Sequence, residues 1–486
     1  MQVEKISRSQ VLNNSAWKFF ESIGSSVVNF LITVFLARLL SPDDYGLMAI
    51  VLVVISFMGL FVNSGISSYL VFIKDIRKED FLTVLVCNLV VSLVLMATLL
   101  LLSTKIADYY SAPSLSSLIC TMSIALPFNA VSSVYNAYAI KFSQFRTLFV
   151  RNMIAFPVSG VVALAMAYWG FGVWALVAQQ LISSILLAVI LALSIRIEID
   201  GRWVFQGKQC GPMIKYGVYV LFASIVAFIS DNISDLLIGK KISPQKLGYY
   251  NRGGYYPNAV VNIANNVLTG VLFPAFVSYN SNLIELKAKF RKTVRMLYYI
   301  VFPMFLGLIA CSKPLILFTV SDKWAASIPV MQIICVYYMA IPFLQTGSQA
   351  CLATGAVRLR MVGEIFKMVI TLPLLFLFVS HGIEAVACAR VLVNVFMVVY
   401  SMFLNKKIMN YGYLEFLRDM MKPLAIGLLV ALCIYPLAYL QINCGMVLAL
   451  QGVVGVSIYF LCMKVMKIEE MEEITSIVLK RLKIKK

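Results

Sequence analysis

Long apolar stretches alternate along the chain with short breaks that carry basic or turn-forming residues. Each stretch is about 20 residues or longer, the length that an α-helix needs to cross roughly 30 Å of hydrocarbon. The alternating pattern of an outer-membrane barrel is absent. Because a backbone in lipid must satisfy its own hydrogen bonds, the pattern predicts an all-α integral membrane protein with fourteen transmembrane helices. The predicted spans are 16–39, 44–66, 82–104, 114–138, 148–169, 172–195, 212–238, 253–277, 293–317, 326–353, 361–380, 382–404, 421–440 and 443–463.

The composition agrees with this prediction, because 61% of the 486 residues are hydrophobic and 13% are charged. An ordinary soluble domain is about half apolar and about one-quarter charged. The first apolar run is too long for a signal-peptide core, so we expect it to remain as a span. The 10 cysteines are scattered without a CxxC pair, which indicates packing residues and not a metal site.

The placement of basic residues predicts the orientation. If the N-terminus is cytoplasmic, most of the 41 lysines and arginines fall in segments on the cytoplasmic side. An even number of spans then places both termini in the cytoplasm. The net charge of +19 therefore indicates topology and contact with anionic lipid, and not a nucleic-acid partner.

Three pairs of segments suggest an internal repeat whose copies are six spans apart. An even separation gives both copies the same orientation, related by an axis along the membrane normal. This predicts two pseudo-symmetric six-helix bundles followed by a C-terminal helix pair; chance similarity among apolar sequences is the alternative. The matches are LARLLSPDDYGL (36–47) with IGKKISPQKLGY (238–249), IALPFNAVSSVYNA (124–137) with MAIPFLQTGSQACL (339–352), and GVWAL (172–176) with GIEAV (382–386).

The repeat and the topology together predict four regions. The two bundles occupy 1–200 and 201–410, and helices 13 and 14 occupy 411–465. The remaining residues, 466–486, have apolar positions at helical spacing opposite charged ones. We expect this tail to be an amphipathic helix on the cytoplasmic membrane surface.

Polar side chains recur along one face of predicted spans 1, 7 and 8, including Asn29, Asp231, Asp235 and Asn262. Facing lipid would cost on the order of several kcal/mol each, so they face protein or water. They either line a hydrophilic cavity between the bundles or form hydrogen bonds between helices. Asp231 and Asp235 lie one helical turn apart, and repulsion between their charges favours a proton or sodium site.

Three cations are candidate ligands for an anion. Arg390 lies within predicted span 12 and has no carboxylate at i±3 or i±4. Its planar guanidinium suits phosphate oxygens. Lys18 and Arg252 lie near span ends, where extension of the side chain to the lipid headgroups is the alternative.

Enzyme motifs are absent: there is no P-loop and no GxSxG, and the single histidine, His381, falls in a short turn. We therefore predict no catalytic residues, no metal site and no enzyme. Active transport would then have to draw on an ion gradient, of H⁺ or Na⁺, or on the flow of substrate, and no cofactor is expected.

The segment SAWKFFESIGSSVVNFLITVFLARLLSPDDYGLMAIVLVV (15–54) resembles the start of bacterial polysaccharide flippases. These form the polysaccharide transporter branch of the multidrug/oligosaccharidyl-lipid/polysaccharide exporter superfamily. The resemblance continues through NAYAIKFSQFRTLFVRN (136–152) and LGYYNRGGYYPNAV (247–260). It implies fourteen helices in two bundles with a final pair.

The resemblance also implies a function: translocation of oligosaccharides linked to undecaprenyl diphosphate across the bacterial inner membrane, by alternating access. The product would be O-antigen, capsule or exopolysaccharide. The expected partners are the lipid-linked oligosaccharide, membrane lipid, and a polysaccharide polymerase with other assembly proteins. On this hypothesis the diphosphate ligands are Lys18, Arg252 and Arg390, the sugar ligands include Asn29 and Asn262, and Asp231 and Asp235 hold the coupling ion.

Two other functions remain open. An ion-coupled multidrug efflux antiporter of the same superfamily would have a cavity dominated by carboxylates, and the acidic pair of span 7 is consistent with that. A scaffold in polysaccharide assembly would need no transport activity.

Overall fold

The computed structural model describes residues 8–63, 67, 70, 73, 76–197, 199–202, 204–205, 207–278 and 283–466. Within its helices, the side chains at 8–23, 208–210, 212–217, 219–220, 223, 263–275, 277–278 and 357 lie outside the description. Over the described ranges the chain consists of helices joined by short connections, without a β-strand. The predicted all-α class is confirmed.

The helices coincide with the predicted apolar spans, and most extend beyond them at one or both ends. Predicted span 172–195 corresponds to a helix over Val173–Ser194, whereas predicted span 293–317 corresponds to a longer helix over Leu283–Val320. In chain order the helices are α1 (Arg8–Leu39), α2 (Pro42–Asn63), α3 (Lys78–Tyr110), α4 (Ser114–Ser123), α5 (Ala125–Lys141), α6 (Phe145–Tyr168), α7 (Val173–Ser194), α8 (Gly207–Lys241), α9 (Pro244–Ser278), α10 (Leu283–Val320), α11 (Ser327–Met339), α12 (Ile341–Ala353), α13 (Val357–Phe378), α14 (Ile383–Met409), α15 (Tyr413–Ile434) and α16 (Cys444–Val465).

Within the described residues, 11 helical segments are long and apolar enough to cross a membrane. Two of these segments combine consecutive helices, α4 with α5 and α11 with α12. The other three predicted spans coincide with α1, α8 and α9, parts of which lie outside the description. The total of fourteen and the cytoplasmic location of both termini stay predictions, and the tail from residue 467 lies outside the described residues.

The three pairs of matched segments adopt the same local structure in each pair. Pro42 and Pro244 open α2 and α9, at a position where a proline costs no helical hydrogen bond. Gly172 and Gly382 precede α7 and α14 with φ of 55° and 102°, a region that favours glycine.

In the third pair, each of the two matched segments contains a break in the helix of a predicted span. One segment is interrupted at Ile124, between α4 and α5, and the other at Ala340, between α11 and α12. Each break is followed within one turn by a proline, Pro127 or Pro342, which has no N–H for the helical ladder. The two spans are therefore interrupted at corresponding places in the predicted repeat.

The helices pack as two units, Met1–Gly248 and Tyr249–Lys486. In the first, α1 lies along α6, and α8 packs against α2 and α3. Gly160 of α6 faces Ile32 of α1 at this contact, and a methyl group there would require the side chain of Ile32 to shift. The predicted domain boundaries at 200 and 410 stay predictions.

In the second unit, α10 packs along α15, and α11 and α13 both pack on α14. Near their N-terminal ends, α10 and α15 are joined by an ionic cluster. The Nε and Nη2 atoms of Arg291 donate to the two carboxylate oxygens of Asp419, each at 2.9 Å. Tyr411 donates to the same carboxylate at 3.0 Å, and Lys287 pairs with Glu415 at 2.8 Å. Burial, and then the Asp419 charge, raise the pKa of the Tyr411 phenol.

Candidate functional site

Arg390 on α14 is held by tyrosine side chains. Its Nη1 atom donates to the hydroxyl of Tyr250 on α9, and its Nη2 atom donates to the hydroxyl of Tyr337 on α11, each at 3.3 Å. The guanidinium carbon lies 4.7 Å from the centroid of the Tyr337 ring, within cation–π range. The two tyrosines are buried, whereas Arg390 is partly exposed. Among the described residues, no carboxylate forms an ion pair with Arg390.

Asn394, one turn further along α14 than Arg390, holds the backbone of Tyr337 in place. It is 3% exposed, and its Nδ2 atom donates to the backbone carbonyl of Tyr337 at 2.8 Å. That carbonyl is among the last four of α11, which an α-helix leaves without an internal partner. The break at Ala340 thus exposes a carbonyl that Asn394 satisfies, and this bond brings Tyr337 beside Arg390.

Arg252 has a different environment, an aromatic cage formed by Tyr255, Tyr256 and Trp324. The guanidinium carbon lies 4.9 Å, 5.4 Å and 5.8 Å from the three ring centroids. Arg252 is only 3% exposed, and its Nε atom has no hydrogen-bond partner among the described residues. Because residues two apart point to opposite faces of a helix, α9 directs Arg252 away from the face where Tyr250 meets Arg390. The structure therefore does not bring Arg252 into the Arg390 site, and its predicted ligand role stays a prediction.

Asp231 and Asp235 both lie on α8. Asp231 is exposed and Asp235 half-buried, while Ser234 between them is buried. Residues four apart on a helix have Cβ atoms about 5–6 Å apart, so the two carboxylates share one strip of the surface of α8. This arrangement is compatible with the predicted ion site, which stays a prediction.

The polar face of α1 is used in part for contact between helices. Ser25 accepts a hydrogen bond from Nδ2 of Asn152 on α6 at 3.2 Å. The Oδ1 atom of Asn152 accepts in turn from Nε of Arg151 at 2.9 Å. Interhelical hydrogen bonding, one of the two interpretations that the sequence left open, therefore applies at Ser25. Asn29, one turn further on, is half-buried.

Two predicted ligands remain, Asn262 and Lys18. Asn262 is exposed on α9. Lys18 belongs to α1, but its side chain lies outside the described residues. The roles predicted for Lys18, Asn29 and Asn262 stay predictions.

Sequence reasoning selected Arg390 but missed Tyr250, Tyr337 and Asn394. Only Asn394 had a signal in the sequence, because it follows Arg390 by one helical turn and therefore shares its face. The two tyrosines come from distant helices, and packing alone brings them to Arg390. Over the ranges described, no three His, Cys, Asp or Glu residues are grouped so as to hold a metal ion.

The family model described as "Polysaccharide biosynthesis protein" matches residues 35–329, more than half of the chain. The succinoglycan biosynthesis transport protein ExoT of Rhizobium meliloti (strain 1021) is 26% identical over 67% of this chain and 66% of its own length. The lipopolysaccharide biosynthesis protein WzxC of Escherichia coli (strain K12) is 23% identical over 87% of this chain and 86% of its own length.

A solved structure of the lipid II flippase MurJ, in an inward closed conformation, has a similar fold. The TM-score is 0.73, the identity is 16%, and the match covers 92% of this chain and 98% of that one. The two chains therefore have the same kind of helical fold. From the family match, the apolar helices and these relatives, the chain belongs to the polysaccharide biosynthesis protein family and is a multi-pass membrane transporter of the bacterial inner membrane.

Proposed function

We propose that this protein translocates oligosaccharides linked to undecaprenyl diphosphate across the inner membrane, by alternating access, for the synthesis of a surface polysaccharide. The observation that carries the proposal is the environment of Arg390. It is a cation on an apolar helix, its described contacts are the neutral side chains of Tyr250 and Tyr337, and none of them is an anion.

A charge on an apolar helix needs either water or a counter-ion. Most intramembrane charges are paired, and leaving one unpaired costs on the order of several kcal/mol. A guanidinium held by phenols keeps its charge and retains N–H groups for a ligand, because it has five and two are used here. A diphosphate supplies the missing negative charge with the geometry that arginine binds best.

Family membership supports the substrate class, since the relatives are named for succinoglycan and lipopolysaccharide biosynthesis. The sugar portion would be bound by amide side chains, with Asn29 and Asn262 as candidates. Lys18 and Arg252 are further candidates for the diphosphate; for Arg252 this requires the aromatic cage to open.

Energy would come from an ion gradient coupled through Asp231 and Asp235. Binding of H⁺ or Na⁺ would neutralise part of the repulsion between two carboxylates on one strip of α8. Occupancy of this site would then differ between the two faces of the membrane, as coupling requires.

The test is a transport assay with purified protein in proteoliposomes that contain a lipid-linked oligosaccharide. Exposure of the sugar to membrane-impermeant periodate measures its appearance in the opposite leaflet. We expect Arg390→Ala to reduce the rate at least tenfold, and Arg390→Lys to retain part of it. Arg358→Ala, which changes an exposed arginine at the start of α13, is the matched control. A wild-type rate for Arg390→Ala would refute the proposed site.

A second candidate function, efflux of cationic drugs, is favoured by one observation, the exposed carboxylate of Asp231 on α8. In such an antiporter the substrate would bind the carboxylates, and Arg390 would repel it. Expression in a drug-sensitive strain distinguishes the two functions. Drug resistance that is lost in Asp231→Asn and kept in Arg390→Ala would favour efflux.

A further inference from the structure

The hydroxyl group of Tyr337 has one hydrogen to donate and two lone pairs to accept with. It accepts a hydrogen bond from Nη2 of Arg390 at 3.3 Å. Its own hydrogen therefore points elsewhere. Among the described residues, no acceptor takes that hydrogen, although Tyr337 is only 8% exposed.

The ring and backbone of Tyr337 are also fixed. The ring lies under the Arg390 guanidinium and packs edge-on against Tyr338, with centroids 5.1 Å apart. The backbone carbonyl is held by Asn394 at 2.8 Å. The position of the hydroxyl group beside the cation is thus set by contacts with Arg390, Tyr338 and Asn394.

We propose that Tyr337 is a second ligand of the anion that binds Arg390, and that Asn394 is its positioning residue. This inference rests on the proposed function, in which Arg390 binds the diphosphate of the substrate. Arg390 supplies the positive charge, and the uncharged Tyr337 hydroxyl donates a hydrogen bond to the same group of phosphate oxygens. Charge-assisted bonds to phosphate are the stronger kind, so the second donor adds appreciably to affinity.

The arrangement also selects a ligand by the sign of its charge. With one lone pair occupied by the guanidinium, the hydroxyl of Tyr337 presents its hydrogen to the ligand. A phosphate oxygen accepts that hydrogen, whereas a cationic ligand would meet both the hydrogen and the positive charge of Arg390. Tyr337 is therefore a specificity-determining residue that favours anions and disfavours cationic drugs.

The experiment measures binding of geranyl diphosphate, a short prenyl diphosphate, to the full-length protein in detergent by titration calorimetry. Tyr337→Phe keeps the ring and its cation–π contact but removes the hydroxyl. We expect about tenfold weaker binding, because hydrogen bonds to charged groups are worth at least that factor. Tyr459→Phe is the matched control, since it removes a hydroxyl that bonds the backbone of Tyr299 in another part of the same unit.

Asn394→Leu tests the positioning role. It should weaken binding, and the double variant with Tyr337→Phe should bind no more weakly than Tyr337→Phe alone, because Asn394 acts through Tyr337. Additive losses would mean that Asn394 stabilises the fold without positioning Tyr337. If Tyr337→Phe does not accumulate in the membrane, Tyr337→His, which keeps a ring with an N–H donor, replaces it and should bind more tightly than Tyr337→Leu.

The outcomes separate the two proposals. If Arg390→Ala binds geranyl diphosphate as the wild type does, the proposed site fails and this inference fails with it. If Arg390→Ala loses binding while Tyr337→Phe keeps wild-type affinity, only this inference is overturned.

Discussion

Gly46 of α2 lies directly against the backbone carbonyl of Pro244, at the start of α9. The relationship is reciprocal, because Gly248 lies against the carbonyl of Pro42. A methyl group at either glycine would overlap the carbonyl oxygen that faces it. The two Ser-Pro-x-x-x-Gly segments of the predicted repeat are therefore packed on one another through their backbones, with glycine as the residue that allows it.

We predict that Gly46→Ala and Gly248→Ala each destabilise the protein. The added methyl group forces two backbones apart, and overpacking of this kind costs about 1–3 kcal/mol. Thermal unfolding in detergent measures the effect. Gly452→Ala on α16, where nothing lies near the added atom, is the control and should unfold as the wild type does. Equal behaviour of all three variants would contradict the prediction.

The ionic cluster between α10 and α15 gives a second prediction. Asp419 is 5% exposed and accepts two hydrogen bonds from Arg291, whose side chain is 29% exposed. Asp419→Ala removes these bonds and leaves the guanidinium without its main partner, so we expect a loss of about 2–3 kcal/mol. Glu415→Gln changes a more exposed carboxylate, 34% exposed, and should cost less than about 1 kcal/mol. Chemical denaturation of the two variants in detergent would show whether this order holds.

A third prediction concerns the acidic strip of α8. Asp231→Asn and Asp235→Asn keep the size and polarity of the side chains but remove the charge that an ion would neutralise. We expect both variants to bind geranyl diphosphate normally, because Arg390 is unchanged, while transport loses its dependence on an imposed H⁺ or Na⁺ gradient. The measurement is transport in proteoliposomes with and without each gradient. Gradient-driven transport that persists in both variants would place the coupling elsewhere.

A fourth prediction separates the two arginines of the second unit. Arg252 is enclosed by aromatic rings, whereas Arg390 is partly exposed. Changing Arg252 to Met should lower the unfolding temperature, because it removes cation–π contacts with three rings, and should lower the affinity for geranyl diphosphate less than Arg390→Met does. Arg390→Met should lower the affinity for geranyl diphosphate strongly and change the unfolding temperature little. The reverse order of effects would assign the ligand to Arg252.

Much of the fold could be predicted from the sequence. A helix that crosses the hydrocarbon must have a minimum length and apolar side chains, so each crossing helix is visible as a long apolar run. Predicted span 382–404, for example, corresponds to α14, Ile383–Met409. The ends extend further because polar and basic residues such as Lys406 and Lys407 continue the helix beyond the apolar run. Hydropathy therefore predicts where a helix leaves the membrane, but it does not predict the residue at which the helix itself ends.

The sequence predicted the central residue of the candidate site but not the residues that contact it. Arg390 was identifiable because a lone cation on an apolar helix is costly. Its partners Tyr250 and Tyr337 were not, because the chain has 24 tyrosines and nothing in the sequence says which faces of α9, α11 and α14 meet. The pairing of Arg291 with Asp419 was missed for a similar reason, since the basic residues of α10 were interpreted only as markers of topology.

The break at Ala340 has a consequence for Tyr337, which lies in the last turn of α11. Tyr337 carries the candidate ligand hydroxyl on its side chain, while its backbone carbonyl is one of the last four of the helical segment before the break. The side chain that would bind the ligand and the backbone at the interruption of the span therefore belong to one residue. A ligand that displaced the Tyr337 ring would also act on the main chain where the two helices of this span meet.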